Sequence, residues 1–173
     1  MGSMANESQE IHPALPAAQP PAHRSEVLLV LALFLTGLAL RGAWPARMAV
    51  EHFDEGVYAS NYFFTGESGD EHYPSQQLYA PPLLPVLIEL AMVLAGPSNV
   101  APLLVSIVAG SLTIPLVWWV GRRWFSPTAG LAAAALVTFS DIHILFSRTA
   151  LTDVLLCLFL LAAVHAFWVA QTT

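Results

Sequence analysis

The sequence predicts an all-α, multi-pass membrane protein with about four transmembrane helices and one further helix at the membrane surface. Of its 173 residues, 56% are hydrophobic and only 10% are charged, and the mean hydropathy is +0.62. Four apolar segments approach the roughly 20 residues that a helix needs to cross a bilayer. These segments are residues 27–44, 100–120, 128–146 and 151–170.

Residues 1–25 precede the first apolar segment and are rich in proline and alanine but poor in branched apolar side chains. A segment of this composition cannot bury enough apolar surface to fold, so we expect a disordered tail. Arg24 lies at its end, and arginines beside membrane helices prefer the cytoplasmic side, which places the tail in the cytoplasm. The net charge of −6 comes mostly from this tail and from residues 51–71, leaving no basic surface for nucleic acid.

The segment of residues 81–96 is apolar but is not expected to cross the bilayer. It is shorter than the other four, opens with three prolines in five residues and carries Glu89 in its middle. A charged side chain at the bilayer centre costs roughly 2.5–3.5 kcal/mol on insertion scales. A helix lying in the interface, with Glu89 near the lipid headgroups, avoids that cost.

The positions of the arginines favour the same arrangement. Arg122 and Arg123 follow the second of the four long segments, and their preference for the cytoplasm places them on the same side as the tail. An even number of crossings must then separate Arg24 from this pair. The first two long segments already supply two crossings, so residues 81–96 must lie in the interface or enter the membrane and return.

This topology brings two acidic segments to the outer membrane face. The first outer loop, residues 45–99, contains the stretch EHFDEGVYAS with Asp54 and Glu55, and the connector FSRTALTD emerges on the same side with Arg148 and Asp153. Because Asp54 and Glu55 are adjacent, one can face a site while the other faces solvent. Composition alone also fits a solvated acidic loop, helix capping by Asp153 and an Arg148 that snorkels.

The other residues that could carry chemistry are less informative. His143, in FSDIHILFSR, lies at the interface or lines a cavity, whereas His165 and Cys157 stand in an apolar segment and are expected to pack. The sequence has no HExxH motif, no glycine-rich phosphate loop and no nucleophile elbow. The templates of soluble enzymes therefore do not apply.

Four pieces in order resemble the N-terminal part of a GT-C type membrane glycosyltransferase. They are FDEGVY after the first helix, APPLLPVLI further along, GRRWF closing the next helix and SRTALTDVLL opening the last. The chain is similar, over residues 27–170, to the family 39-like group of dolichyl-phosphate-mannose:protein mannosyltransferases and bacterial aminoarabinose lipid A transferases.

The resemblance implies an enzyme of the inner cell membrane whose active face is non-cytoplasmic. Such an enzyme moves a sugar from a polyprenyl-phosphate-linked donor to an acceptor protein, lipid or glycan, in contact with membrane lipid. By resemblance, Asp54 is the expected catalytic carboxylate, with Glu55 beside it and Asp153 as the second acidic residue of the site. Arg148 is expected close to the donor phosphate.

These residue types suit the chemistry. A lipid-linked sugar phosphate already carries its leaving group, so the protein must deprotonate the acceptor, orient both substrates and stabilise the charge on the departing phosphate. A carboxylate base typically contributes about 10²–10⁴-fold, and a cation can hold the phosphate, which fits Asp54 and Arg148. Alternatively, Asp54 and Asp153 bind a divalent ion. The sequence does not establish that any cofactor is required.

Two departures from the family pattern shape the remaining expectations. Some relatives have Lys or His immediately before the Pro-Pro pair, where this chain has Ala80, so that contact is missing or supplied by Tyr79 or His72. Tyr79 and His143 are the further candidates for binding the donor phosphate, beside Arg148. Relatives are also several times longer, so residues 26–173 are expected to be an N-terminal transmembrane module that is inactive alone.

Two other classes of protein stay open at this point. A non-enzymatic membrane subunit would use the acidic outer loop to recruit a partner or a polysaccharide. A transporter fragment would use acidic residues as substrate or proton sites, but here they lie at helix ends and in a loop rather than within helices. The sugar and the acceptor are not specified by the sequence.

Overall fold

Helices account for most of the chain that the computed structural model describes, which is residues 21–44, 47–51, 53–59 and 82–172. Within these ranges the helices are, in order, α1 (Arg24–Gly42), α2 (Phe53–Ala59), α3 (Leu83–Ala95), α4 (Ala101–Trp124), α5 (Pro127–Phe139), α6 (Asp141–Phe146) and α7 (Asp153–Thr172). The predicted all-α membrane architecture is confirmed, because α1, α4 and α7 are long and apolar enough to cross a membrane. Most of the predicted tail lies outside the described residues.

Helix α4 is the central element of the bundle. At its start, Ser98 Oγ accepts a hydrogen bond from the backbone N–H of Ala101 at 3.2 Å, and Pro102 occupies the first turn, where its missing N–H is not needed. Half of its membrane-length window (50%) is buried, against 17% for α1 and 11% for α7. Helices α1, α3, α5 and α7 all pack on α4.

Helix α5 follows α4 after a tight turn and lies against its last turns. Ser126 caps α5 by accepting a hydrogen bond from the N–H of Ala129 at 3.1 Å, and Pro127 stands at the first helical position. The two helices meet backbone to backbone, since a Cβ added to Gly121 would lie 2.9 Å from the Cα of Gly130. Glycine at these two positions permits the close approach.

The segment of residues 128–146, expected as one continuous helix, is divided into α5 and α6. Ser140 has an extended backbone (ψ 114°), and its Oγ accepts a hydrogen bond from the N–H of His143 at 3.3 Å, which caps α6. A serine in this conformation starts a new helix and cannot continue the previous one. The expectation of one continuous helix was wrong, because hydropathy gives the length of an apolar segment. It does not show that the side chain of Ser140 bonds a backbone N–H group and so ends one helix and starts the next.

Helix α3 covers most of the predicted surface segment and has 13 residues, too few to cross a bilayer alone. Its buried face consists of Leu84, Pro85, Ile88 and Glu89, which recur at helical spacing. Glu89 is only 2% exposed, and its expected depth near the lipid headgroups stays a prediction. The burial follows from packing, because α3 turns this face toward α2 and α4.

The hydrophobic core surrounds the first half of α4. It joins α3, α4 and the start of α7 to two residues outside the helices, and so contacts the segments that carry the predicted site residues. Its members are Met48, Leu84, Ile88, Leu103, Ile107, Ala109, Ala150, Val154 and Leu155.

The start of α1 and the end of α4 lie together. Arg122 Nε donates to Glu26 Oε2 at 2.9 Å, in a pair whose side chains are 11% and 18% exposed. This contact agrees with the prediction, drawn from the arginines, that these two ends share one side of the membrane. Which side faces the cytoplasm stays a prediction.

Two residues of α7 were both expected to pack. The lone cysteine, Cys157, is instead exposed, because it falls on the outer face of a sparsely covered helix. The histidine prediction is confirmed. His165 lies among three tryptophan rings whose centroids are 5.9–6.2 Å from its own, namely Trp119, Trp124 and Trp168.

Candidate functional site

The acidic stretch of the first outer loop forms the short helix α2, and its two adjacent carboxylates point apart. Glu55 is only 1% exposed, whereas Asp54 is exposed. Successive residues on a helix are turned by about 100° from each other, so only one of the pair can face the bundle. The sequence predicted this divergence, and the structure shows that Glu55 is the inward member.

Glu55 joins α2 to the connector between α6 and α7. Its Oε1 accepts a hydrogen bond from the N–H of Ala150 at 2.6 Å, and its Oε2 accepts one from the N–H of Glu51 at 3.1 Å. Hydrogen bonds to an ionised carboxylate are stronger than those between neutral groups. The segments that carry Asp54 and Asp153 are therefore held together, although the bonded residues are 95 positions apart in the chain.

The connector is also anchored on the bundle. Ser106 Oγ, on α4, donates to the carbonyl of Leu151 at 3.4 Å. Helix α7 then begins with Asp153 in its first turn, where a carboxylate complements the helix dipole. The Asp153 side chain is exposed, and no hydrogen bond to it is found within the described part of the chain.

Arg148 lies against the last turn of α1. Its Nη1 donates to the carbonyl of Leu40 at 3.1 Å and to that of Arg41 at 3.4 Å. Carbonyls at the end of a helix lack partners within the helix, so a guanidinium there satisfies them and fits the dipole. This use of Nη1 leaves the Nε and Nη2 donors of Arg148 available to an anion.

Arg41, which sequence reasoning did not single out, is fully buried at 0% exposure. Each of its donating hydrogen bonds ends on a neutral acceptor, and across the described residues no carboxylate contacts it. Nε donates to Ser147 Oγ at 3.2 Å, Nη1 to the carbonyl of Gly37 at 3.0 Å, and Nη2 to the carbonyl of Val137 at 3.0 Å and to His143 Nδ1 at 2.9 Å.

Two glycines make room for the Arg41 guanidinium. A Cβ added to Gly37 would overlap the side chain of Ile114 and lie 2.9 Å from Arg41 Nη1. A Cβ added to Gly110 would overlap Ser147 Oγ and lie 3.2 Å from Arg41 Nε. A signal was available in the sequence, since an arginine near the end of a long apolar helix must find polar partners if it is buried.

The predicted site residues gather where α1 ends and α7 begins. Glu55, His143 and Arg148 contact the connector or the last turn of α1. Asp54 and Asp153 are exposed on the flanking helices, and no hydrogen bond joins them in the ranges described. Tyr79 lies outside the described residues.

Among the residues that the structure describes, no three His, Cys, Asp or Glu side chains are grouped closely enough to hold a metal ion. An open apolar groove with a volume of about 380 Å³ lies between α3, α4 and α7. Its walls include Leu87, Leu94, Val108 and Leu158, so it can accept only apolar groups.

Comparison with known proteins gives one match. A sequence model of the dolichyl-phosphate-mannose-protein mannosyltransferase family matches residues 79–173, which is more than half of the chain. The matched region contains α3 to α7 with His143, Arg148 and Asp153, and it starts after α2, so Asp54 and Glu55 precede it. No curated protein and no solved structure matches the chain.

Proposed function

Because the chain belongs to the dolichyl-phosphate-mannose-protein mannosyltransferase family, we propose that it serves to move a sugar from a polyprenyl-phosphate donor to an acceptor at the non-cytoplasmic membrane face. The observation that carries this proposal is the 2.6 Å hydrogen bond from the N–H of Ala150 to Glu55. This bond joins the two acidic segments, so that their carboxylates and Arg148 can act on one pair of substrates. The acceptor is a protein, a lipid or a glycan.

Asp54 is the proposed general base. Its carboxylate is exposed, so an acceptor hydroxyl can reach it, and the buried Glu55 next to it fixes the position of α2. Removing the acceptor proton makes the oxygen a better nucleophile as it attacks the sugar. Glu55 thus acts in this scheme by positioning Asp54, while Asp54 meets the substrate.

Arg148 is proposed to bind the donor phosphate. It is anchored on the carbonyls of Leu40 and Arg41 and keeps two nitrogen donors for the ligand. As the bond between sugar and phosphate breaks, negative charge grows on the phosphate, and a guanidinium already in place stabilises it. Asp153, five residues along, is proposed to orient the acceptor. If a divalent ion were bound, Asp54 and Asp153 would be the residues to hold it, and it would help to neutralise the phosphate.

Sugar transfer measured in membranes that carry the product of the complete gene tests the proposal, with a radiolabelled polyprenyl-phosphate sugar as the donor. We expect Asp54→Asn to lower the rate by about 10²–10⁴-fold, the usual contribution of a general base. Glu51→Gln is the matched control, because Glu51 is an exposed acid of the same stretch and its side chain has no proposed role. Immunoblots confirm that both variants reach the membrane in equal amounts.

Normal transfer by Asp54→Asn would remove the base assignment. Equal losses in Asp54→Asn and Glu51→Gln would show that the acidic character of the loop matters rather than one carboxylate. Absence of transfer by the unaltered protein with any prenyl-linked sugar would favour a non-enzymatic membrane subunit whose acidic loop recruits a partner.

A further inference from the structure

We propose that Arg41 is a positioning residue that holds His143 in the tautomer protonated on Nε2, so that His143 offers a hydrogen-bond donor to a phosphate. The proposal depends on the proposed function only for the identity of that phosphate, which is then the prenyl phosphate of the donor. The tautomer itself follows from the geometry around Arg41.

The contact between Arg41 and His143 decides which imidazole nitrogen carries the proton. Arg41 Nη2 lies 2.9 Å from His143 Nδ1. A guanidinium has only donors and keeps its charge in proteins, so Nδ1 must be the acceptor of this bond. A neutral imidazole has one N–H, which therefore lies on Nε2.

Ser147 does not compete for this arrangement, although its Oγ lies 3.4 Å from His143 Nδ1. The single hydroxyl proton of Ser147 is directed to the backbone carbonyl of His143, and the same oxygen accepts a hydrogen bond from Arg41 Nε at 3.2 Å. The hydroxyl proton of Ser147 is therefore not available to Nδ1.

Among the residues that the structure describes, the Nε2–H of His143 has no acceptor. Nε2 is buried, and none of the described groups is a hydrogen-bond partner for it. Buried donors in folded proteins almost always have a partner, so an unpaired one indicates a group that arrives from outside the chain or a rearrangement that supplies one.

The charge of Arg41 also favours an anion near the Nε2–H of His143. It is completely buried, and its hydrogen bonds end on uncharged acceptors. A buried cation is strongly stabilised by a nearby negative charge. An anionic oxygen that accepts the Nε2–H of His143 would satisfy the imidazole and offset the charge of Arg41.

Arg148 narrows the chemistry of this anion to a phosphate. Its Nη1 donates to the backbone carbonyl of Arg41 at 3.4 Å, so a second cationic side chain is held on the last turn of α1. The Nε and Nη2 donors of Arg148, together with the Nε2–H of His143, match an anion that has several oxygens, as a phosphate does. Arg148 meets this anion directly, whereas Arg41 acts through His143 and through its charge.

Nitrogen-15 NMR of the full chain in detergent micelles, with ¹⁵N-labelled histidine, tests the tautomer. His143→Gln identifies the resonances of this residue among the six histidines. We expect an unprotonated Nδ1 and a protonated Nε2 in the unaltered protein. Arg41→Met removes the donor and should give a mixture of tautomers, while Arg41→Lys, which keeps a cationic donor, should preserve the Nε2–H form.

Arg123→Met is the matched control. Arg123 is exposed in the last turn of α4, beside the start of α1 rather than its end, so its replacement should leave the His143 resonances unchanged. Circular dichroism shows whether each variant keeps its helices. A proton on Nδ1 in the unaltered protein would overturn the proposal without any variant. A folded Arg41→Met protein with an unchanged tautomer would equally overturn it.

The ligand is tested with three probes added to the labelled protein, namely farnesyl phosphate, inorganic phosphate and phosphatidylglycerol. A saturable shift of the Nε2 resonance with farnesyl phosphate, lost in Arg41→Met, is the expected result. A response to phosphatidylglycerol alone would identify a lipid headgroup as the ligand and overturn the assignment to a prenyl phosphate. No response to any probe would overturn the proposal that His143 binds an anion. None of these readouts needs sugar transfer, so they stand apart from the failure of the proposed function.

Discussion

The substitution Glu55→Gln separates the structural carboxylate of α2 from the proposed catalytic one. Glu55 is 1% exposed and accepts backbone N–H groups with both of its oxygens, from Ala150 at 2.6 Å and from Glu51 at 3.1 Å. Glutamine has the same shape but keeps only one acceptor oxygen. Its amide NH₂ must then face one of the two N–H groups, donor against donor.

The expected loss of stability follows from these contacts. A hydrogen bond to a charged group contributes about 1.5–3 kcal/mol, and a buried donor left unpaired costs about 1–3 kcal/mol. One bond is lost and the other loses its charge, so we expect Glu55→Gln to lower the free energy of unfolding by about 3 kcal/mol. Asp54→Asn, a change of the same kind one position earlier but exposed, should alter it by no more than about 0.5 kcal/mol.

Unfolding in mixed micelles with increasing dodecyl sulfate, followed by tryptophan fluorescence, measures both variants. Glu55→Gln should unfold at a clearly lower mole fraction of the denaturing detergent, and Asp54→Asn at that of the unaltered protein. The sugar-transfer assay should rank the two variants differently from the stability assay, because Asp54→Asn is expected to lose about 10²–10⁴-fold in rate while its stability is unchanged. Equal stabilities of the two variants would refute the conclusion that the Glu55 bonds hold α2 to the connector.

Two further predictions concern packing and orientation. Gly110→Ala should destabilise the fold by about 1–3 kcal/mol, because the new methyl group would overlap Ser147 Oγ. A Cβ added to Gly56 has nothing within 4 Å, so Gly56→Ala should be neutral or stabilising by up to about 1 kcal/mol. Thermal unfolding compares the two variants, and equal effects would contradict the conclusion that Gly110 makes room for Ser147 and Arg41. In a Cys157→Ser background, Arg123→Cys should react with a membrane-impermeant maleimide only after the cells are permeabilised, and labelling of intact cells would reverse the orientation.

Long-range apolar patterning predicted the large elements of the fold. Helices α1, α4 and α7 begin and end within a few residues of their predicted segments, because the length of an apolar run is set by the thickness of the bilayer. The break at Ser140 could not be predicted in this way. It depends on one side chain that caps α6, a local effect that an average over many apolar residues hides.

The candidate site was predictable in its charges but not in its contacts. The arginine pattern and the family resemblance pointed to Asp54, Arg148 and Asp153, since such charges are rare in an apolar chain. Which of Asp54 and Glu55 is buried depends on which side of a seven-residue helix faces the bundle, and that is set by packing. The contacts of Arg41 could not be predicted, because two of its acceptors are backbone carbonyls, which have no sequence signature of their own.

The fastening of α1 has a consequence for how the protein tolerates change. This helix is sparsely covered by protein along its length, yet both of its ends are tied, by Glu26 to Arg122 and by Arg41 and Arg148 to α6 and the connector. The orientation of α1 is therefore set by the contacts at its two ends. Apolar substitutions on its lipid-exposed middle, for instance at Leu31 or Leu35, should therefore have little effect on stability. A substitution that removes the contacts at either end should change the tilt of the whole helix.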